Sequence, residues 1–386
     1  MDDISKQISN LSQEQRDLLI RNLTQNKDQQ KEIKKRDAVV LNKSRPFDLE
    51  KDQNFTATLS GIGALDIVHR VSPRGAPGPG QVEIEIYASA LNFRDILIAI
   101  GLYPTTGIEM GSDCSGVIVR VGEGVEEFKV GDEVMAVSDK STFSRFRTVL
   151  VTDVVKKPAC LSFEEAASAP TVFLTAYHSL RNLACLSKGE RILIHSAAGG
   201  VGLAAIQYAQ QVGAEIIVTV GTAEKREYIR SLGIERILNS RSGDFADGCM
   251  DLTGGEGVDV VLNSLSGEAI PKGLSILRHF GRFLELGRLD FAQNSRIGLA
   301  PFDKGLTFFS VSLPLLTELR PIDGKNLFID VMNGFERGLF RPLNMRIFTP
   351  SELTKAFQLM GEGNHIGKLV IRYKDQEVMV APSASA

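Results

Sequence analysis

The chain has 386 residues, enough for two or three domains, and its 43% hydrophobic and 24% charged residues are typical of an ordinary globular protein. A net charge of -3 gives no support for binding nucleic acid or an anionic membrane, and no apolar stretch approaches the roughly 20 residues that cross a bilayer. The polar start is not a signal peptide and the cysteines lack paired spacing, so we expect a cytoplasmic protein without disulfides or structural zinc.

Residues 1–45 are predicted to form a helical linker or docking segment. Ser12-Gln-Glu-Gln15 has the pattern of a helix capping box, and one short amphipathic helix precedes an almost wholly polar stretch. A solvated linker is the favoured interpretation, with docking to a neighbouring protein as the alternative. Together with the abrupt tail, this segment indicates a domain excised from a longer chain, although a discrete protein is not excluded.

Residues 46–175 consist mainly of short strand patterns separated by glycine turns, which indicates a compact β-rich domain. Ser162-Phe-Glu-Glu165 is a second capping box, and a helical region extends from it through Leu180. Residues 314–373 most simply rejoin this domain, through a helix near Leu327–Glu336, a strand at Met345–Phe348, a helix near Ser351–Met360 and a strand at Lys368–Arg372. The tail, residues 374–386, is predicted to be disordered from its composition.

Residues 176–313 alternate between strand and helix patterns, which predicts an α/β fold with a Rossmann-type doubly wound parallel sheet. The predicted strands are apolar runs of strand length at Ile192–His195, Ile216–Val220, Arg236–Asn239, Val258–Leu262, Arg282–Leu286 and Leu306–Leu313. The last of these is at the edge of the sheet by its order along the chain. An exposed apolar edge invites pairing across a two-fold axis, so we expect a homodimer.

The first of these strands leads into a glycine-rich turn that opens directly into a helical pattern. The turn has Ala197, Gly199 and Gly202 at the three positions of the dinucleotide-binding fingerprint. There, Gly199 lets the backbone approach a pyrophosphate, Gly202 lets the helix pack close to the strand, and the helix N-terminus offers free N–H groups. Such a turn alone is a weak signal, but its flanking strands favour a nucleotide site over a plain structural turn.

The end of the second strand indicates which dinucleotide is bound. A site selective for NAD usually has an acidic residue about 20 positions after the glycine turn, whereas Glu224 lies past the strand end, in the next helix. Gly221 leaves room there, and Thr222 can donate a hydrogen bond. Lys225, one helical turn on, and Arg241, after the third strand, can bind a 2′-phosphate. We therefore predict NADPH rather than NADH.

Short motifs spread over about residues 55–373 carry a family resemblance: Leu91-Asn-Phe-Arg-Asp95, Tyr103-Pro104, Gly111-Ser-Asp113, His195-Ser-Ala-Ala-Gly-Gly-Val-Gly202, Gly221-Thr-Ala-Glu-Lys-Arg226, Asn239-Ser-Arg241, Asn263-Ser-Leu265 and His365-Ile-Gly-Lys368. With them the chain resembles the medium-chain dehydrogenase/reductase superfamily, and within it the enoyl reductase domains of polyketide synthases and animal fatty acid synthase. The resemblance implies a GroES-like substrate domain beside the Rossmann domain. It also implies reduction of an enoyl thioester on acyl carrier protein, among neighbouring polyketide synthase domains.

The resemblance implies that both domains contact the cofactor, at Asn92, Thr175, Ala198, Gly199, Gly200, Val201, Asn263, Gly287 and Lys368. An amide such as that of Asn92 can fix the nicotinamide ring. Asn263 and Gly287 end strands at the face of the sheet where the cofactor lies. By contrast, His178 and His195 are more simply interpreted as packing histidines than as catalysts.

The chain departs from the zinc-dependent members of the superfamily. They carry a cysteine ligand where this chain has Leu91-Asn-Phe93, and a Gly-His-Glu where it has Gly111-Ser-Asp113. A catalytic zinc needs about three protein ligands, and only Cys114 lies nearby in sequence. The four-cysteine lobe is missing too. We therefore expect a zinc-free enzyme.

An enoyl reductase adds hydride to the β-carbon, so the enolate that forms must receive a proton at its α-carbon. The resemblance implies three candidate donors: Tyr103, Lys225 and Asp244. Tyr103 would face the nicotinamide cleft, where a phenol with a pKa near about 10 can donate, or it packs at the rim. The place of Lys225 at a strand end favours phosphate binding. Asp244 is the weakest candidate, because an aspartate before a helix commonly caps it.

Three other functions stay open. A free-standing quinone or enone reductase would act on small diffusible substrates. A substrate with a γ-leaving group such as halide would let the enolate close a cyclopropane instead of taking a proton. A non-catalytic interaction domain is the third alternative, and the intact glycine turn with Lys225 and Arg241 argues against it.

Overall fold

The computed structural model describes residues 44–49, 53–59, 66–103, 109–240 and 244–383. The helix predicted after Ser12, the docking segment around it and Arg241 lie outside the described residues.

The strands in chain order are β1 (Arg45–Pro46), β2 (Asn54–Leu59), β3 (Ile67–Ser72), β4 (Gln81–Ala90), β5 (Asp113–Val121), β6 (Glu133–Val137), β7 (Phe146–Leu150), β8 (Val154–Lys156), β9 (Arg191–Ile194), β10 (Glu215–Val220), β11 (Ile237–Asn239), β12 (Val258–Asn263), β13 (Leu277–Glu285), β14 (Thr307–Ser310), β15 (Met345–Phe348), β16 (Lys368–Arg372) and β17 (Met379–Ala381).

The α-helices in chain order are α1 (Phe93–Ala99), α2 (Phe163–Ser168), α3 (Pro170–Tyr177), α4 (Gly200–Val212), α5 (Ala223–Ser231), α6 (Phe245–Leu252), α7 (Ala269–Ser275), α8 (Leu289–Ala292), α9 (Leu313–Leu319), α10 (Pro321–Glu336) and α11 (Leu353–Glu362). A π-helical turn at His178–Leu183 extends α3, and short 3₁₀ turns lie at Val151–Asp153, Ala300–Lys304 and Pro350–Glu352.

Strands β9 to β14 form a parallel sheet in the order β11-β10-β9-β12-β13-β14. Successive residues of β9 point to opposite faces: Ile192 and Ile194 join the apolar core under α3, α4 and α10, whereas Leu193 joins the core under α6 and α7. Because both faces are covered by helices, the strands are apolar throughout. The doubly wound parallel sheet predicted from the sequence is confirmed.

The other two sheets form a β-rich part of the molecule, which is built from both ends of the described chain. One sheet has the order β15-β16-β4-β5-β6-β8, with β7 also paired to β4, and the other has the order β1-β17-β3-β2. Early residues such as Ile84 and Ile118 share one apolar core with late residues such as Phe357 and Leu369. The chain therefore returns to this part after the parallel sheet.

Two predictions about the chain's later elements were wrong in detail. The strand expected at Leu306–Leu313 is only Thr307–Ser310, because the Ser312 side chain accepts a hydrogen bond from the Leu315 N–H and begins α9, with Pro314 in its first turn. The tail expected to be disordered contains β17, which pairs with β3 and β1 and buries Val380. Composition alone does not reveal partner strands that lie near the start of the described chain.

Candidate active site

A tight turn joins the end of β9 to the start of α4 and holds the helix against the turn. At Gly202 an added Cβ would lie 2.6 Å from the Cα of Ala197 and 2.7 Å from the carbonyl oxygens of Ala197 and Ser196. These are backbone atoms, which cannot move aside without separating the helix from the turn. Gly202 is therefore the position where close helix packing requires glycine, as in the dinucleotide-binding fingerprint.

The N-terminus of α4 opens at the carboxyl edge of the parallel sheet, where such folds bind ligands. Gly199 takes the N-cap position without a capping side chain, so the first-turn N–H groups, those of Gly200 and Val201 among them, keep capacity for an outside acceptor. Among the described residues, a Cβ on Gly199 would meet only the Ser196 carbonyl oxygen, at 3.2 Å. The turn's other side is open, so these donors and the helix dipole fit a pyrophosphate.

The returning segment before β16 lies directly on this turn. The Gly367 N–H donates to the Ala198 carbonyl at 2.9 Å, and Gly199 and Gly367 form a parallel bridge. A Cβ on Gly200 would lie 3.0 Å from the Cδ of Lys368. The two parts of the molecule therefore meet at the glycine turn, and residues assigned to cofactor contact in each part are neighbours.

Lys368 is buried in a polar cluster beneath this meeting point. Its Nζ donates to the Asn92 Oδ1 at 2.6 Å and to the Leu91 carbonyl at 2.8 Å, and it lies 3.6 Å from the Asp113 Oδ2. The Asn92 Nδ2 donates to the Ser112 hydroxyl and to the Asp113 Oδ2, both at 3.0 Å. Burial lowers the pKa of Lys368, and the Asp113 charge opposes that shift. The cluster fixes the orientation of the Asn92 side chain.

Helix α3 reaches the same cluster from the other side. The Thr171 hydroxyl donates to the Asp113 Oδ1, and Thr175 lies one turn further along the same helix face, half-buried. Val172 on this helix packs near Gly200, since an added Cβ there would come within 2.7 Å of its Cγ1. Thr175 is therefore on a helix that packs against the glycine turn.

The end of β10 shapes the region where the sequence predicts a 2′-phosphate. Thr222 is the N-cap of α5, and its hydroxyl accepts from the Lys225 N–H at 3.2 Å. The Lys225 Nζ donates to the Gly363 carbonyl at 2.6 Å, so it sits between α5 and the end of α11. Half-buried Gly221 precedes this helix. Thr222 and Lys225 therefore lie together at this strand end.

The other two candidate proton donors are Tyr103 and Asp244. Tyr103 is half-buried after α1, where the chain folds back and its N–H donates to the Leu97 carbonyl at 3.1 Å. Asp244 is exposed at the N-cap position of α6, but its side chain makes no capping hydrogen bond to the helix. Asp244 therefore does not cap α6 with its side chain, contrary to the capping role considered from the sequence.

His195 is buried at the end of β9, and its Nδ1 is 3.0 Å from the Thr219 hydroxyl. Its ring packs edge-on against Phe245, with ring centroids 4.6 Å apart. Burial lowers the pKa of His195 to about 3, so the ring is neutral at physiological pH. These contacts support the packing role expected from the sequence.

A buried carboxylate that the sequence did not single out lies at the end of β13. The Glu285 Oε2 accepts from the Asn263 Nδ2 at 2.5 Å, and its Oε1 accepts from the Gly287 N–H at 2.6 Å. Asn263 is fully buried and also bonds Leu265, so its amide supports the loop. A charged residue ending an apolar strand, as in Phe283-Leu-Glu285, was the available signal.

Two findings concern features that the described residues lack. Among them, no group of three or more His, Cys, Asp or Glu side chains could hold a metal ion. No helix in the described part combines the length and apolar character that crossing a bilayer requires.

Two protein-family models match the chain. The one described as "Alcohol dehydrogenase GroES-like domain" matches residues 78–156, and the one described as "Zinc-binding dehydrogenase" matches residues 200–319. The first match covers most of the sheet around β4 and β5, and the second begins at α4.

Relatives and solved structures resemble the chain over most of its length. The mycocerosic acid synthase-like polyketide synthase of Mycolicibacterium smegmatis is 40% identical over 315 residues, which are 80% of this chain but 15% of that protein. The CurK enoyl reductase is 40% identical with a TM-score of 0.75, and the CurF cyclopropanase from the curacin A biosynthetic pathway is 34% identical with a TM-score of 0.77. Each of these two structural alignments covers 83% of this chain and 99% of the solved chain.

Proposed function

Because this chain belongs to the polyketide synthase enoyl reductases of the medium-chain dehydrogenase/reductase superfamily, we propose that it uses NADPH to reduce the 2,3 double bond of an enoyl thioester carried by acyl carrier protein. The observation that carries the proposal is the meeting of the glycine turn with the Gly367–Lys368 segment. It brings the turn that we propose to hold the pyrophosphate next to the buried cluster that contains Asn92. Neighbouring polyketide synthase domains would supply the substrate.

The residues of this chain bind and orient the reactants, and the nicotinamide supplies the hydride when it is bound. The first turn of α4 would hold the pyrophosphate, and Thr222 with Lys225 and Arg241 would hold the 2′-phosphate. Lys368 would fix Asn92 against the ring. Water exclusion from this buried cluster would strengthen each of these contacts.

We propose Tyr103 as the proton donor to the α-carbon. The Lys225 Nζ donates to the Gly363 carbonyl, which fixes its position, and its place in the first turn of α5 after β10 favours phosphate binding for that residue. Asp244 is exposed at the N-cap position of α6, so it is less enclosed by the protein than Tyr103. Tyr103 is half-buried after α1, and its phenolic O–H is a group that can donate a proton to an enolate carbon.

Lys225→Ala is expected to weaken NADPH binding by roughly 10- to 100-fold and leave NADH binding within about threefold, because a charge-assisted bond to the 2′-phosphate is lost. The measurement is a fluorescence titration of each reduced cofactor. Lys188→Ala, an exposed lysine before the amino end of β9, is the matched control and should change neither affinity. Equal weakening for both cofactors would contradict the phosphate contact.

The reaction is tested by following NADPH oxidation with three substrates: crotonyl thioester on acyl carrier protein, a γ-halo enoyl thioester on the same carrier, and a quinone. We expect the crotonyl thioester to give the saturated acyl chain, identified by the mass of the product. Turnover of the quinone alone would support the free-standing reductase. Inertness toward both thioesters, or no NADPH binding at all, would defeat the proposal.

Ring closure is the second candidate function, and the 34% identity to the CurF cyclopropanase is the observation that favours it. The two functions share the hydride step and differ in the fate of the enolate. With the γ-halo thioester, a cyclopropane product and released halide would indicate ring closure. A saturated product that keeps its halogen would indicate protonation, for which Tyr103→Phe should lower the rate.

We further propose that catalysis is zinc-free, because the side chains of Asn92 and Asp113 already surround the ammonium group of Lys368. The Lys368 ammonium lies between Asn92 and Asp113, and a metal ion there would meet a like charge. Metal analysis of active protein, before and after chelator treatment, tests this. Zinc at one equivalent that is needed for activity would refute it.

We also propose that two copies pair along β14. This strand is at one edge of the parallel sheet, where it leaves backbone groups available for pairing. Light scattering is expected to give twice the chain mass of 42.1 kDa. A monomer at all concentrations would rule out this pairing.

A further inference from the structure

The carboxylate of Glu285 lies at the carboxyl edge of the parallel sheet, between the ends of two other strands. In the sheet register Glu285 is beside Asn263 at the end of β12 and beside Ser310 at the end of β14. Only 1% of the residue is exposed. Burying a carboxylate is costly unless hydrogen bonds compensate. Glu285 accepts one bond from the Asn263 side chain at the end of β12 and one from the Gly287 N–H in the loop after β13.

These bonds continue toward the glycine turn. Asn263, held by Glu285, bonds both the N–H and the carbonyl of Leu265. The Ser264 hydroxyl next to it is 2.9 Å from that of Ser196. Ser196 has a φ of 51°, in the left-handed region that few non-glycine residues adopt. The Glu285 carboxylate is thus linked, through Asn263 and the loop after β12, to Ser196 in the glycine turn.

We propose that Glu285 is a positioning residue for the cofactor: its two carboxylate oxygens hold the loops after β12 and β13 in the arrangement that binds the nicotinamide end of the dinucleotide. This inference rests on the proposed function, since it presumes that NADPH binds at the α4 turn. Glu285 need not touch the cofactor. It acts through Asn263 and Gly287.

The arrangement requires an ionised carboxylate, because both of its partners are donors. Protonation would turn one acceptor oxygen into an O–H that faces an N–H group. Burial, chiefly, raises the pKa of Glu285 to about 7, while the hydrogen bonds from Asn263 and Gly287 oppose that shift. The Asp290 charge raises the pKa further and the Arg288 charge lowers it. The neighbouring strand ends contribute only the neutral Asn263 and Ser310. We therefore expect Glu285 to gain or lose its proton within the physiological pH range, and the two hydrogen bonds that it accepts to change with it.

Glu285→Gln tests this with almost no change of shape. The single side-chain oxygen of the glutamine can still accept from Gly287, but the glutamine NH₂ then faces the Asn263 NH₂. Asn263 cannot turn its amide without reversing both of its bonds to Leu265. At about pH 8 we expect the NADPH dissociation constant, from fluorescence titration, to rise about tenfold, the loss of one hydrogen bond. At about pH 6 the ratio of variant to wild type should fall below threefold, because wild-type Glu285 is then protonated.

Comparing the two proteins at each pH removes the titration of the 2′-phosphate, which is the same in both. Glu190→Gln is the matched control: Glu190 directly precedes β9, at the amino edge of the parallel sheet, and its carboxylate accepts from Arg282. It should leave the dissociation constant unchanged at both pH values. An equal effect from Glu190→Gln would mean that any weakening of this sheet lowers affinity, and it would overturn the inference.

The swapped pair, Asn263→Asp with Glu285→Gln, guards against a simple folding defect. The new aspartate can accept from the NH₂ of the new glutamine, so the double variant should bind NADPH more tightly than either single variant. Weaker binding than both single variants would overturn the inference. An unchanged affinity in Glu285→Gln would also overturn it, while a wild type that does not bind NADPH would overturn the proposed function itself.

Discussion

Replacing Lys368 by methionine is expected to lower the free energy of unfolding by about 3 to 5 kcal/mol. Lys368 and Asp113 are 2% and 0% exposed, so without the ammonium the Asp113 charge would remain in the interior with no cation beside it. The Asn92 Oδ1 and the Leu91 carbonyl would lose their donor as well. Urea unfolding followed by circular dichroism measures the effect.

Two further variants separate the loss of the pair from the loss of one lysine. Lys374→Met, an exposed lysine near the end of the same strand, should cost less than about 1 kcal/mol. Asp113→Asn combined with Lys368→Met removes both charges and should recover at least half of the loss, since the Asn92 amide is then free to turn. A double variant as unstable as Lys368→Met alone would show that the buried charge is not the cause.

Gly202→Ala is expected to lower the free energy of unfolding by about 3 kcal/mol and to weaken NADPH binding at least about 100-fold. The new Cβ would overlap backbone atoms at 2.6 and 2.7 Å, so α4 must move away from the glycine turn that precedes it. Alanine favours a helix interior by about 1 kcal/mol over glycine. The expected loss therefore has the opposite sign to the intrinsic propensity, and thermal unfolding with cofactor titration measures it.

Gly199→Ala is the matched variant, because its effect should be on binding alone. Gly199 has a φ of −83° and a ψ of 171°, which alanine adopts readily, so stability should stay within about 1 kcal/mol of wild type. Its methyl group would occupy the open side of the turn, where the pyrophosphate is proposed to bind. Full NADPH affinity in Gly199→Ala would contradict that location, and wild-type stability in Gly202→Ala would contradict the packing argument.

The sequence was sufficient for features that depend on local pattern. Apolar runs and helical periods located the parallel strands, and the spacing of Gly199 and Gly202 identified the turn because its geometry is set within a few residues. Ser162 caps α2 with Glu165, as its capping-box spacing predicts. In each of these cases the residues that determine the structure are neighbours along the chain.

Features that depend on distant residues could not be found in this way. The burial of Lys368 against Asn92 and Asp113 depends on how β16 pairs with β4, and the motifs alone indicated only a general place near the cofactor. Glu285 was missed because its partner Asn263 follows from the register of β12 and β13. The strand at Met379–Ala381 was missed because its partner strands lie far back in the chain.

The bond between Lys368 and the Leu91 carbonyl joins residues 277 positions apart, and this sets the order in which the protein can fold. Strand β4 is synthesised early, yet its partner β16 appears only after the whole parallel sheet has emerged. At about 5 to 20 residues per second, that edge of β4 waits roughly 15 to 55 s on the ribosome. The parallel sheet can form in the meantime, whereas β16 can pair with β4 only afterwards. Folding is therefore expected to be slow at this step, and aggregation through the waiting edge is its main hazard.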